Sequence, residues 1–146
     1  MNYFFYGTLM DAAVLARVSG LAVTAVRLRP AVLDGYQRFR VTDRRYPAIV
    51  AMPGHRVEGR VVRNIPADAE QRIVDYEADE YVRKPVMVIG PGGLRIEALA
   101  FVAGPRMKLT EEIWDYDEWC RTDRRPFLRR LGGYLTTRGS ARSATS

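Results

Sequence analysis

The stretch AVTAVRLRPAVLDGYQRFRVTDRRYPAIVAMPGHRVEGRVVRNI, residues 22–65, decides the fold class. It is rich in Val, Leu, Ile and aromatic residues and is interrupted at Asp34-Gly35 and Pro53-Gly54. Ala22–Leu33, Tyr36–Val41, Tyr46–Met52 and Arg56–Ile65 therefore read as strands. Asp34-Gly35 reads as a hairpin turn, since that dipeptide supplies the positive φ angles that two-residue turns need. The gaps are too short for helical crossovers, so a mostly antiparallel sheet is expected.

On the N-terminal side, Asn2–Tyr6 reads as a short buried strand and Ala12–Val18 as a helix, with Gly7–Asp11 breaking the two apart. Thr8 and Asp11 have the spacing of a capping pair. A strand, a glycine that admits a ligand to the backbone, and free N–H groups at a helix start together suit a carboxylate or an oxyanion. On the C-terminal side, Pro66-Ala67-Asp68 opens a helix, with an early acid suited to its dipole. Tyr81–Ile89 and Leu94–Ala103 read as strands joined by a turn at Gly90–Gly93. Thr110–Ile113 reads as the start of a helical region that resumes near Asp123 and runs to Leu131. Six or seven strands and two or three helices, without repeats, indicate one α+β domain over residues 1–135. So many short strands need their edges hidden, and a barrel does that. Residues 136–146 form a small, polar tail expected to be disordered.

Glu77 occupies an unusual place. Ala69, Ile73 and Glu77 recur every four residues, so the acid continues an apolar helical stripe close to the helix C-terminus. Desolvation and the negative end of the helix dipole both disfavour a carboxylate there, which raises its pKa toward the range of a general acid/base.

Composition removes several alternatives. Cys120 is the only cysteine and His55 the only histidine, so an internal disulfide, a thiolate metal cluster and a two-histidine zinc site are excluded. Neither a metal nor another cofactor is expected. No apolar run approaches the roughly 20 residues of a membrane helix and the N-terminal region shows no basic n-region with an h-region, so no membrane association and a cytoplasmic location are expected. The net charge of +6 invites a nucleic-acid reading, but the basic residues are mostly Arg and scattered, with small clusters at Arg44-Arg45, Arg124-Arg125 and Arg129-Arg130. No nucleic-acid partner is expected.

Tyr6-Gly7-Thr8-Leu9, Tyr46-Pro47-Ala48, Val57-Glu58-Gly59 and Asp75-Tyr76-Glu77 followed by Tyr81-Val82-Arg83 resemble, in order and spacing, the gamma-glutamylcyclotransferase-like family. The resemblance spans about Tyr3 to Trp119. It implies a small mixed barrel with a cavity, cofactor-independent conversion of a gamma-glutamyl amine or peptide into 5-oxoproline plus the free amine or amino acid, and Glu77 as acid/base. It also implies that the loop Tyr6, Gly7, Thr8, Leu9 receives the substrate through main-chain N–H groups. Tyr6, Tyr81 and Tyr116 are candidate cavity liners, with apolar faces and hydroxyl ends. Arg83 is read as a structural bridge to Glu80 or Asp79 in preference to a substrate contact. Ala78 stands where members commonly carry Gly, and Thr8 where Ser is frequent.

Simpler roles are set beside these. Glu77 could be a helix-end acid paired with Arg83 or Lys84, and the whole fold could serve as a non-catalytic module binding a small metabolite. His55 reads as a solvated turn residue. Cys120, Trp114 and Trp119 read as packing.

Overall fold

A computed structural model of the chain describes residues 1–77 and 79–133. The chain divides into two compact units, Met1–Trp114 and a second that begins at Asp115. The predicted tail at 136–146 lies outside the described residues.

The first unit is an α+β domain whose strands are β1 (Tyr3–Phe5), β2 (Arg29–Val41), β3 (Pro47–Val62), β4 (Tyr81–Ile89), β5 (Arg95–Ala103) and β6 (Leu109–Ile113). Five of them close a mixed barrel in the order β3-β1-β5-β4-β2, with β2 pairing back onto β3 and β6 added at the C-terminal half of β2. Among the described residues only the β1–β5 contact is parallel. Helix α1 (Ala12–Ser19) follows β1, and α2 (Ala67–Glu77) connects β3 to β4.

Strand alternation sorts β1 between two layers. Phe4 and Tyr6 point into the barrel, where they meet Leu33, Ile49, Val61, Val88 and Val102. Tyr3 and Phe5 face the other way and stack with ring centroids 5.9 Å apart. Asp11 caps α1, its carboxylate accepting from the N–H groups of Ala13 and Val14. Its own N–H donates to Thr8 O at 3.2 Å, closing a 3₁₀ turn over Thr8–Met10.

Four local readings change. Asp34-Gly35 is not a hairpin turn: β2 runs through it, and Gly35 has φ 83° at a register shift between Asp34 and Tyr36. The opposite irregularity lies at Pro53-Gly54, where Gly54 has φ 86°, so β3 also continues through its predicted break. The four expected strands are therefore two, paired in one long, bent ribbon. Its true turn is residues 42–46, where Asp43 takes φ 61° and Val41 N–H donates to Tyr46 O at 3.0 Å. A glycine at positive φ serves a bulge as readily as a turn, and only the partner strand distinguishes them.

Residues 22–28 are not part of a strand; Val23–Ala25 form a 3₁₀ turn and β2 begins at Arg29. Thr110–Ile113 is a strand, not a helix start. Phe39 pairs with Ile113 and Val41 with Leu109, while Arg40 Nε meets Glu112 at 2.8 Å, so cross-strand partners outweigh the helix preference of two glutamates.

In the second unit, Asp115 caps α3 (Tyr116–Thr122), and residues 124–133 are helical. Trp119 is buried there, edge-on to Phe127.

Within the β1–β3 pair the backbones approach closely at Gly59. A Cβ there would lie 2.4 Å from Phe5 O and 2.6 Å from Phe4 Cζ. Gly59→Ala is expected to lower unfolding free energy by about 3 kcal/mol through overpacking. Chemical denaturation measures it, and a loss below about 0.5 kcal/mol would show that β1 and β3 can separate freely.

Candidate active site

Glu77 is the last residue of α2, two turns beyond Ala69 and one beyond Ile73, both of which are buried. The residue keeps part of its surface in solvent, yet burial of its carboxyl pushes the pKa from 4.5 up to about 8. Desolvation is the cause, and no cation offsets it: among the described residues Glu77 forms no ion pair. Arg83 is engaged elsewhere, 3.0 Å from the Tyr3 hydroxyl and 3.7 Å from Glu70 Oε2. It is the structural bridge expected, with Glu70 as partner in place of Glu80 or Asp79. Because the Tyr3 hydroxyl also donates to Glu70 at 2.7 Å, this cluster ties α2 to β1 and β4 and so fixes where the helix delivers Glu77.

Tyr6 and Tyr81 surround the acid. Burial first, and the Glu77 charge second, push the Tyr6 hydroxyl well up; burial, the Tyr6 charge and then Glu77 do the same for Tyr81. Both phenols stay neutral donors. Tyr6 donates to Phe101 O and Tyr81 to Pro47 O at 2.8 Å.

The loop after Tyr6 is tied to the same place. Thr8 Oγ1 and the Tyr76 hydroxyl lie 3.0 Å apart, linking the loop to the residue before Glu77. The 3₁₀ turn starts its own bonding at Met10 N–H to Gly7 O and Asp11 N–H to Thr8 O, leaving the N–H groups of Thr8 and Leu9 outside its ladder. Two arginines hold the loop ends: Arg38 donates to Tyr6 O at 2.7 Å and Arg60 to Met10 O at 2.7 Å. Leu9 contributes main chain only, since its side chain is buried in the core.

Tyr6, Gly7, Thr8, Tyr81 and Glu77 thus come together in the first unit. Tyr116 lies in the second, where its ring stacks on Trp119. Ala78 lies outside the described residues. The sequence reading missed Tyr76, Pro47, Arg38 and Arg60 as site supports. Tyr76 and Pro47 stood inside the quoted motifs; nothing in an arginine-rich chain singles out Arg38 and Arg60. His55 is exposed, near Gln37. Among the described residues no group of three or more His, Cys, Asp or Glu is placed to hold a metal, and no helix is long and apolar enough to cross a membrane.

The model of the family described as gamma-glutamyl cyclotransferase, AIG2-like, matches residues 3–121. The chain belongs to this family. Protein AIG2 C of Arabidopsis thaliana is 31% identical over 122 residues, covering 81% of this chain and 71% of the relative. AIG2-like protein C of the same plant is 30% identical over 140 residues, covering 94% and 79%. Among solved structures, a solution structure from Arabidopsis thaliana superposes with a TM-score of 0.67 at 25% identity, covering 94% of this chain and 83% of that one. A structure described as gamma-glutamyl cyclotransferase superposes with a TM-score of 0.57 at 16% identity, covering 71% and 66%, and so shares the fold. The AIG2-like barrel is the fold found here, and the family's name makes this chain a candidate transferase.

Two outcomes follow from the geometry. Unfolded chains lose the Glu77 proton near 4.5 while the native one keeps it to about 8. The native state therefore binds more protons across that window, and stability falls as pH rises through it. Relative to Glu77→Gln, the wild type should lose on the order of 3 kcal/mol between pH 5 and pH 8, read from urea midpoints; a constant difference would place the carboxyl in water. Tyr76→Phe should speed hydrogen exchange at the Thr8 and Leu9 amides at a stability cost of about 1 kcal/mol. Unchanged exchange would mean that the hydroxyl contact does not hold the loop.

Proposed function

We propose that this protein is a cyclotransferase that converts a small-molecule gamma-glutamyl amine or peptide into 5-oxoproline plus a free amine or amino acid, with Glu77 as general acid/base. The observation that carries the reading is the desolvated Glu77 carboxyl, with a pKa of about 8 and no cationic partner among the described residues. Near neutral pH such a group is available in both protonation states, which is what a residue that takes and then returns a proton requires.

In this reading the Glu77 carboxylate accepts a proton from the substrate α-ammonium. The freed amine attacks its own γ-carbonyl carbon, closing a five-membered ring with a tetrahedral oxyanion. Attack is intramolecular, so the chief task is to hold the substrate folded, and the Tyr6–Leu9 loop, supported by Arg38 and Arg60, serves as receptor. The N–H groups of Gly7, Thr8 and Leu9 are the oxyanion donors. The C–N bond to the leaving amine then breaks as protonated Glu77 returns the proton to that nitrogen. The proton count closes: the α-ammonium loses two protons, one before attack and one from the ring nitrogen after it, and the departing nitrogen gains two and leaves as an ammonium, each passed by Glu77 without any cofactor. Tyr6 and Tyr81, neutral and bonded to backbone carbonyls, shape the walls and relay no proton in the reaction.

Glu77→Gln is expected to lower 5-oxoproline production about 10²-fold or more with the fold intact, measured by mass spectrometry on a panel of gamma-glutamyl compounds. Once the substrate's own titration is removed, kcat/KM should rise with pH to a plateau above about 8. The limb in kcat should lie lower, because the bound ammonium favours the carboxylate. Full turnover by the Gln variant would defeat the assignment. Ligand-induced thermal stabilisation without product would make the protein a binding module on the same fold.

A further inference from the structure

A cleft of about 590 Å³ opens between the hairpin turn at 42–46, Asp79-Glu80 after α2, and the loop 105–108 after β5. Two of its lining residues, Tyr46 and Glu80, directly precede residues that shape the proposed site. Tyr46 lines the cleft and precedes Pro47, whose carbonyl accepts from Tyr81 and whose ring lies against Gly7, 3.1 Å from where a Cβ would stand. Glu80 lines it from the other side and precedes Tyr81, with the Tyr46 hydroxyl 3.4 Å from Glu80 Oε2. The Tyr81 hydroxyl senses the charges of both Glu77 and Tyr46.

The third wall is cationic and well anchored. Gly104 N–H donates to Glu80 O at 3.0 Å, Met107 N–H to Gly104 O at 3.1 Å, and Thr42 N–H to Lys108 O at 2.9 Å, so the loop is fixed at its base, its middle and its end. Arg106 and Lys108 project from it into the same cleft, and among the described residues neither forms an ion pair. The acids Asp43, Asp79 and Glu80 lie on the other two walls, and Glu80 already faces the Tyr46 phenol. Arg44 donates to its own loop, at Asp43 O, 3.2 Å away.

We propose that this cleft holds the leaving half of the substrate, and that Arg106 and Lys108 select leaving groups that carry a carboxylate, amino acids or peptides, over simple amines. The proposal rests on the reading of Glu77 as the acid/base. Every gamma-glutamyl substrate presents the same α-amino acid end to the Tyr6–Leu9 loop, so discrimination must come from what lies beyond the γ-carbonyl. A carboxylate there meets two cations in a half-enclosed space; an alkylamine leaves them facing water. Partly screened contacts of this kind are worth a few-fold each, which together give about a tenfold preference that weakens with salt.

Gamma-glutamyl-alanine and gamma-glutamyl-ethylamine differ by that carboxylate alone. With wild-type protein, the ratio of their kcat/KM values should be about ten and should shrink in high salt. In Arg106→Gln/Lys108→Gln, whose folding is checked by its melting temperature, the ratio should fall to near one. A ratio that the double variant leaves unchanged, or a wild-type preference for the ethylamine compound, overturns the subsite. If neither compound yields 5-oxoproline, the cyclotransferase reading fails separately. The subsite is then read from dissociation constants of both compounds on Glu77→Gln protein, with and without the double substitution: selective weakening of the alanine compound supports it, and equal affinities overturn it.

Discussion

A strand pair of thirteen and sixteen residues cannot stay flat, since twist accumulates along it and its outer edges remain open. The β2–β3 ribbon meets this constraint by bending where Gly35 and Gly54 adopt positive φ on its two strands. The N-terminal half of β2 then reaches β4 at Val32–Ile89, and the C-terminal half reaches β6. β1 fills the remaining position beside β3, close enough that only glycine fits at residue 59. Barrel closure, the inward turn of Tyr6 and the position of the loop after it all depend on that bent ribbon.

The ribbon also supplies the supports of the candidate site. Arg38 on β2 and Arg60 on β3 reach the carbonyls at the two ends of the Tyr6–Met10 segment, so a short loop with few bonds of its own is held by strands on either side. A guanidinium has several donors in a rigid plane, which suits it to bridging carbonyls; Arg38 also reaches Glu58 O at 3.1 Å. Opposite the loop, α2 is fixed by the Tyr3–Glu70–Arg83 cluster near its start and by the Tyr76–Thr8 contact near its end. A helix held at both ends can keep a desolvated acid in place, where a freely hinged one would swing its carboxyl into water. The raised pKa of Glu77 is therefore a property of how α2 is docked.

Holding such an acid lowers stability at neutral pH, since ionising it in the folded state is harder than in the unfolded chain. The surrounding groups do not relieve this. Tyr6 and Tyr81 spend their hydroxyl protons on backbone carbonyls, and Arg83 is spent on Glu70. That arrangement differs from a helix-end acid paired with Arg83 or Lys84, in which a salt bridge would have pulled the pKa down.

Much of this was legible in the sequence. The strand at Tyr3–Phe5, α1, α2 and the β4–β5 hairpin follow from local pattern, and the four-residue recurrence of Ala69, Ile73 and Glu77 marks the acid by its spacing alone. These features need only near neighbours along the chain. The roles of Asp34-Gly35 and Pro53-Gly54 did not follow, because a glycine at positive φ looks the same in a turn and in a bulge until its partner strand is known. Thr110–Ile113 became a strand because β2 offered an edge, and Arg83 bridged to Glu70 because folding, not sequence distance, chose its neighbour. Sequence by itself determined most of the helices and strands and which carboxyl lies on an apolar stripe, since both are set by spacing along one element. Tertiary structure alone decided the bend of the ribbon, the pairing of arginines with carbonyls and the desolvation of Glu77, since each depends on groups that only the closed barrel brings together.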